Sequence, residues 1–247
     1  MIDRVAERKN ALIRPPIANI GRLFIVVAAA SPDPIFLNID KLTTIAEQNG
    51  IATVVVATKR DLDEKKADEI ARIYESAGFP VFKTGNGDGP EELKEYIERN
   101  CVSGISAFAG ASGVGKSTLF NRLFPSLDRE TQEVSAKIGR GRHTTRTVDL
   151  FATEELFGVK GGYIADTPGF SLLDFESFDF CTLEDLPYTF PEFVPLLGTC
   201  RYTKCTHRKE EGCAIIGAMN EGRIEKTRHD SYAELYRQLK EKPIYGK

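Results

Sequence analysis

Residues 110–117 read Gly-Ala-Ser-Gly-Val-Gly-Lys-Ser, the spacing G-x-x-x-x-G-K-[ST], between an apolar run at residues 105–109 and a helical pattern over residues 116–124. Strand, glycine loop and helix in that order make a cradle for an anion. The glycines let the backbone turn so that successive N–H groups converge, and the helix amino terminus adds partial positive charge. Gly110, Ala111, Ser112, Gly113, Val114, Gly115 and Thr118 are the expected phosphate contacts. Lys116 suits the β- and γ-phosphates, and the Ser117 hydroxyl suits Mg²⁺. This element demands an α/β sheet with the loop at a strand's carboxyl end. By itself it serves ATP and GTP alike.

A second element constrains the fold by its position. Thr58-Lys59-Arg60-Asp61 directly follows the apolar residues 51–57 and matches the K-x-D pattern of base readers. An ionised carboxylate is acceptor-only and pairs with the two neighbouring donors of guanine, N1–H and the N2 amine, whereas adenine presents an acceptor at N1. The Lys59 stem is expected along the base plane, with its ammonium on loop carbonyls. Asparagine is usual where Thr58 stands, and a hydroxyl replaces only part of an amide's donors and acceptors, a loss of about 1 kcal/mol. Taken alone, the tetrapeptide equally describes a charged strand-to-helix turn with Asp61 near an N-cap. In an ordinary GTPase this element comes last; here it precedes the phosphate loop, as in a fold cut and rejoined elsewhere. Residues 83–85, Lys-Thr-Gly, stand where a small Ser-Ala turn normally completes the base site.

Downstream, Asp166-Thr-Pro-Gly169 matches D-x-x-G at the end of an apolar strand. Asp166 is the expected water-mediated Mg²⁺ partner and Gly169 N–H the expected γ-phosphate sensor; a plain Asp-Pro-Gly turn is the alternative. Between the two motifs, Thr145 is the expected hydroxyl completing the Mg²⁺ shell in a loop released when the γ-phosphate leaves. Phe170 stands where many GTPases carry a water-orienting glutamine, so intrinsic turnover is expected to be slow. His143 is the catalytic candidate in the chain, since imidazole orients or deprotonates water near neutral pH; contact with RNA or solvent is the competing role.

Apolar runs alternate with helical patterns. Strands are predicted at residues 23–30, 51–57, 80–83, 105–109, 148–152 and 162–165. Helices are predicted at 36–48, 63–77, 91–100, 116–124, 214–220 and 230–240. That rhythm implies a mostly parallel α/β sheet with helices on both faces. Residues 126–147 show neither period and read as a mobile loop. A composition shift near residue 180 divides a nucleotide-binding domain, residues 21–180, from a small helical carboxyl-terminal domain, residues 181–247. Residues 1–20 read as a connector.

That carboxyl-terminal part holds Cys200, Cys205, His207 and Cys213 within fourteen positions. Three thiolates and an imidazole suit tetrahedral Zn²⁺, and four protein ligands leave no position for water, so the metal is expected to be structural. Free buried thiols are the alternative, which Cys101 and Cys181 fit. Arg201, Lys204, Arg208 and Lys209 surround the ligands and suit either phosphate contact or simple solvation. A net charge of -3 argues against a globally basic nucleic-acid binder. No secretory signal pattern or bilayer-length apolar stretch is evident, which points to a cytoplasmic protein; a monomer is expected.

Together, Arg14-Pro15, Ala18-Asn19, residues 58–61, 110–118, 139–145 and 166–170 and the four zinc candidates resemble the ribosome small-subunit-dependent GTPase A family, circularly permuted GTPases of late small-subunit maturation. The resemblance covers nearly the whole chain. It implies GTP hydrolysis stimulated by the small ribosomal subunit, contact with its rRNA and a zinc-containing carboxyl-terminal domain. The family's amino-terminal OB-fold is represented only by about its last strand, near residues 2–14, which points to a truncated or naturally short chain with reduced RNA affinity. Two other readings stay open: a P-loop ATPase or small-molecule kinase with a chance Thr-Lys-Arg-Asp, and a nucleotide-gated rRNA-binding module with negligible turnover.

Overall fold

The computed structural model describes residues 7–12, 17–87, 90–125, 149–166 and 181–241. Its centre is β3 (Ile20–Ala28), which alternates strictly: Leu23, Ile25 and Val27 face one apolar core, while Phe24, Val26 and Ala28 face another. A strand buried on both sides needs helices above and below it. The first core is closed by α1 (Phe36–Gln48) and α2 (Glu64–Ser76). The second is closed by α3 (Glu91–Asn100) and α4 (Lys116–Leu123).

Joining β3 are β4 (Ala52–Thr58), β5 (Val81–Lys83), β6 (Gly104–Ala109), β7 (Asp149–Ala152) and β8 (Gly162–Asp166), in the order β5-β4-β3-β6-β8-β7. All pairings are parallel except the antiparallel edge strand β7. The chain steps outward from β3 to β5, then returns to β6 on the other side of β3. The loops leaving β3 and β6 consequently run to opposite faces, and the crevice between such diverging loops is where open α/β sheets bind ligands.

Ahead of the sheet, β1 (Ala11–Leu12) and β2 (Ile17–Ala18) form a short antiparallel ladder, where the sequence suggested a connector with the remnant of one OB-fold strand near residues 2–14. The Asn10 side chain ties it to β3 by accepting from Ile20 N at 2.9 Å and donating to Ile20 O at 2.8 Å. A five-residue helix, α5 (Thr153–Phe157), bridges β7 and β8.

The carboxyl-terminal unit has its own core of Leu186, Phe190, Phe193, Ile215, Ala218, Ile224, Tyr232 and Leu235. It contains α6 (Ala214–Asn220) and α7 (Lys226–Glu241). It is fastened to α1 by Arg228, whose side chain is fully buried. Arg228 donates to Asp40 Oδ1 at 2.6 Å and Thr43 Oγ1 at 3.2 Å on α1, and to both carboxylate oxygens of Glu192 at 2.7 and 3.1 Å. Its guanidinium lies 4.5 Å from the Phe190 ring centroid, and Tyr74 of α2 donates to Asp40 Oδ1 at 2.9 Å. Burial opposes the charge on Arg228, but Asp40 and Glu192 outweigh it and hold the guanidinium protonated well above its usual range.

Candidate nucleotide and metal sites

The phosphate-loop motif occupies the predicted strand-loop-helix context, between β6 and α4. Gly110 has φ 149°, and a Cβ there would lie 2.2 Å from Val26 O, so only glycine lets the loop turn against β3. Gly115 caps α4 in the left-handed region, φ 93°. Lys116 Nζ donates across its own loop to Gly110 O at 2.8 Å and Ala111 O at 2.6 Å. Ser117 and Thr118 sit exposed in the first turn of α4, where N–H groups lack helical acceptors.

Thr58 to Asp61 leave β4 at the same sheet edge. The buried Thr58 hydroxyl stands 2.5 Å from Val114 O in the phosphate loop and 3.2 Å from Val27 O. Lys59, at φ 56°, carries its ammonium to Gly113 O at 2.8 Å and to Ser31 O in the loop after β3. Arg60 pairs with Glu64 at 2.8 Å on the exposed face of α2. Asp61 Oδ1 accepts from Asn86 N at 2.7 Å. The two motifs, about fifty residues apart in sequence, thus touch through two side chains. Lys59 reaches loop carbonyls as its spacing suggested.

At the other end, β8 pairs with β6, Ala165 opposite Ala107, which brings the Asp166 backbone beside the strand that feeds the phosphate loop. Its side chain, and His143, Thr145 and Gly169, lie outside the described residues. Below the loop, Ile25, Val27, Pro32, Ile35, Leu42 and Val114 contribute to an apolar cavity of about 80 Å³.

The four metal candidates do converge: one ligand atom from each of Cys200, Cys205, His207 and Cys213 lies within 4.8 Å of all the others. Tetrahedral zinc, with bonds of about 2.3 Å to sulfur and 2.0–2.1 Å to nitrogen, implies ligand separations of about 3.8 Å (S···S) and 3.5 Å (S···N). Cys200 Sγ and Cys213 Sγ are 3.9 Å apart, and each is 3.5 Å from His207 Nδ1. The donor set therefore fits structural zinc. Burial lowers the His207 pKa and so favours the neutral, ligating imidazole. Burial also pushes the Cys205 thiol up to about 12, so a cation that binds here displaces protons.

Residues outside the motif hold this knuckle. Glu210 accepts from Thr206 N and Arg208 N at 3.0 Å and Lys209 N at 3.1 Å, and also from the Thr206 hydroxyl. Burial alone raises a carboxyl's pKa, but these donors bring Glu210 down to about 2. His229 Nε2 donates to His207 O at 2.8 Å, and Tyr232 OH donates to Thr206 O at 3.0 Å. Sequence reading missed all three; its only available signal was the Thr206/Glu210 pairing four apart. Arg208 lies 4.2 Å over the Tyr236 ring, and Arg201 pairs with Glu211 at 3.5 Å, so part of the basic rim is engaged within the protein.

Sheet order, phosphate loop and upstream K-x-D loop define a circularly permuted P-loop nucleotide-binding protein with an attached Cys₃His knuckle. The family model described as RsgA GTPase matches residues 5–176. A small ribosomal subunit biogenesis GTPase RsgA of Ruminiclostridium cellulolyticum is 39% identical, across 99% of this chain and 77% of the relative. That of a Geobacillus species is 39% identical, across 99% and 81%. The crystal structure of YjeQ from Thermotoga maritima aligns with TM-score 0.76 and 34% identity over 98% of this chain and 79% of that one. YloQ, described as a circularly permuted GTPase, aligns with TM-score 0.73 and 33% identity over 98% and 76%. The chain belongs to the RsgA GTPase family, and so to the GTP hydrolases that use Mg²⁺ with the nucleotide. Among the described residues no helix is long and apolar enough to cross a membrane.

Proposed function

We propose that this protein hydrolyses GTP during late maturation of the small ribosomal subunit, that the subunit stimulates the reaction, and that it works as a cytoplasmic monomer in contact with rRNA. The observation that supports a single guanine-nucleotide site is the joining of residues 58–61 to the phosphate loop through Thr58–Val114 and Lys59–Gly113. In this reading Asp61 receives the guanine edge, and Lys59 covers the base while its ammonium pins the loop. Backbone N–H groups of residues 110–118 hold the phosphates. Lys116 exchanges its loop carbonyls for β- and γ-phosphate oxygens.

Mg²⁺, when bound, neutralises charge on the phosphates. Ser117, Thr145 and Asp166 are assigned to hold it, oxygen donors of the kind a hard cation takes. Gly169 senses the γ-phosphate and His143 orients the attacking water. The Cys₃His knuckle holds structural zinc and fixes the carboxyl-terminal fold rather than taking part in hydrolysis.

GTP turnover measured with and without purified small subunits tests this. Slow intrinsic hydrolysis, a rise of orders of magnitude with subunits and no competition by ATP are expected. Turnover unmoved by subunits would leave a nucleotide-gated RNA-binding module, and preference for ATP would discard the reading.

A further inference from the structure

We propose that Arg122 is a positioning residue for guanine selection. It acts through the Gly85–Asn86 peptide on Asp61, and the inference rests on the base-reading role assigned to Asp61. The residues after β5 are fastened to the end of β4: Thr84 N donates to Ala57 O at 2.8 Å, Arg60 N donates to Thr84 O at 3.1 Å, and Thr84 is buried. Gly85 then passes so close to Asp61 that a Cβ would lie 3.0 Å from its Oδ1 and 3.1 Å from its backbone nitrogen. A side chain here would press on Asp61, so the loop sits directly against the carboxylate.

Two hydrogen bonds grip one peptide unit from opposite sides. Arg122 Nη1 donates to Gly85 O at 2.7 Å, and the N–H of the same peptide, on Asn86, donates to Asp61 Oδ1 at 2.7 Å. In a planar trans peptide the C=O and N–H point in opposite directions. A donor that fixes the oxygen therefore fixes where the N–H points, and that N–H sets the Asp61 carboxylate. Arg122 is on α4, the helix opened by Lys116, so one rigid rod carries both the phosphate-gripping lysine and the anchor of the base-side loop. The geometry transmits the position of the phosphate helix to the group that reads the base.

The measurement is affinity for GDP, IDP, ADP and tripolyphosphate, by displacement of a fluorescent GDP, in wild type, Arg122→Ala and Arg122→Lys. IDP lacks the N2 amine, so the IDP-to-GDP ratio of Kd reads carboxylate placement. Tripolyphosphate reads the phosphate grip alone. Arg122→Ala is expected to lower that ratio about fivefold, the loss of about one hydrogen bond, with tripolyphosphate binding unchanged. Arg122→Lys restores part of the ratio. An unchanged ratio, or an equal loss for all four ligands, overturns the proposal. Wild type with no preference for GDP over ADP would remove its premise, the base-reading role of Asp61.

Discussion

The Thr58 hydroxyl lies 2.5 Å from the Val114 carbonyl oxygen, so the residue that opens the Thr58–Asp61 loop is hydrogen-bonded to the middle of the G-x-x-x-x-G-K-S loop. Threonine at this position supplies the tie across the two loops with one short donor. What it lacks is a second donor. Thr58→Val removes the tie and strands a buried carbonyl, at a cost of about 1 kcal/mol. The melting temperature is expected to fall by roughly 2–4 °C, and GTP and GDP to bind more weakly because the two loops are no longer tied, which a thermal melt and titration calorimetry check.

Lys116→Ala is expected to abolish detectable nucleotide binding, because the ammonium is the principal positive charge assigned to the β- and γ-phosphates. Asp61→Asn should retain the phosphate grip and relax base choice, raising the affinity for xanthosine nucleotides relative to guanosine ones. Near-wild-type GTP affinity in the lysine variant would refute the phosphate-loop assignment.

Arg228→Met leaves Asp40 and Glu192 buried without their common partner. Breaking such a cluster costs about 3–5 kcal/mol. For a protein of this size that corresponds to a melting temperature lower by roughly 10 °C. Adding Asp40→Asn to the variant should recover part of the loss, which a thermal melt of the double variant checks.

Cys205→Ser should lower zinc content from one equivalent per chain and destabilise the carboxyl-terminal core, since a closed zinc site contributes directly to folding. Glu210→Gln keeps all four ligands but loses the charge that gathers three backbone N–H groups. It is expected to retain zinc but release it faster to a chelator. Elemental analysis and a chelator competition distinguish the two.

Much of the α/β frame was legible because it is periodic. α1 and α3 fall on their predicted residues, and each sheet strand lies within three residues of its predicted limits. β3 starts earlier than expected because Gly21 and Arg22 hide its entry. α7 starts at Lys226 rather than residue 230 because its first turn is highly polar, although Arg228 there is buried. The two-residue strands β1 and β2 are too short to carry a period at all.

The metal candidates stood out because three cysteines and a histidine, soft or borderline donors, fall within fourteen positions of sequence. Asp40, Glu192 and Arg228 did not. Each reads as a solvated charge, and no local pattern links Arg228 to Glu192, 36 residues away, or to Asp40, 188 residues away. Glu210 gave little more than a threonine four residues before it, since its other partners are backbone N–H groups that sequence does not display. The peptide link between Arg122 and Asp61 was hidden for the same reason.

Helix α1 serves two masters: its apolar side completes the core beneath β3 and β4, while Asp40 and Thr43 receive Arg228 from α7. Its first residues follow Ser31, whose carbonyl holds Lys59. The carboxyl-terminal unit is therefore no detachable pendant. Its attachment, through Asp40 and Thr43, falls on the helix that begins five residues after the Ser31 carbonyl touching the Thr58–Asp61 loop.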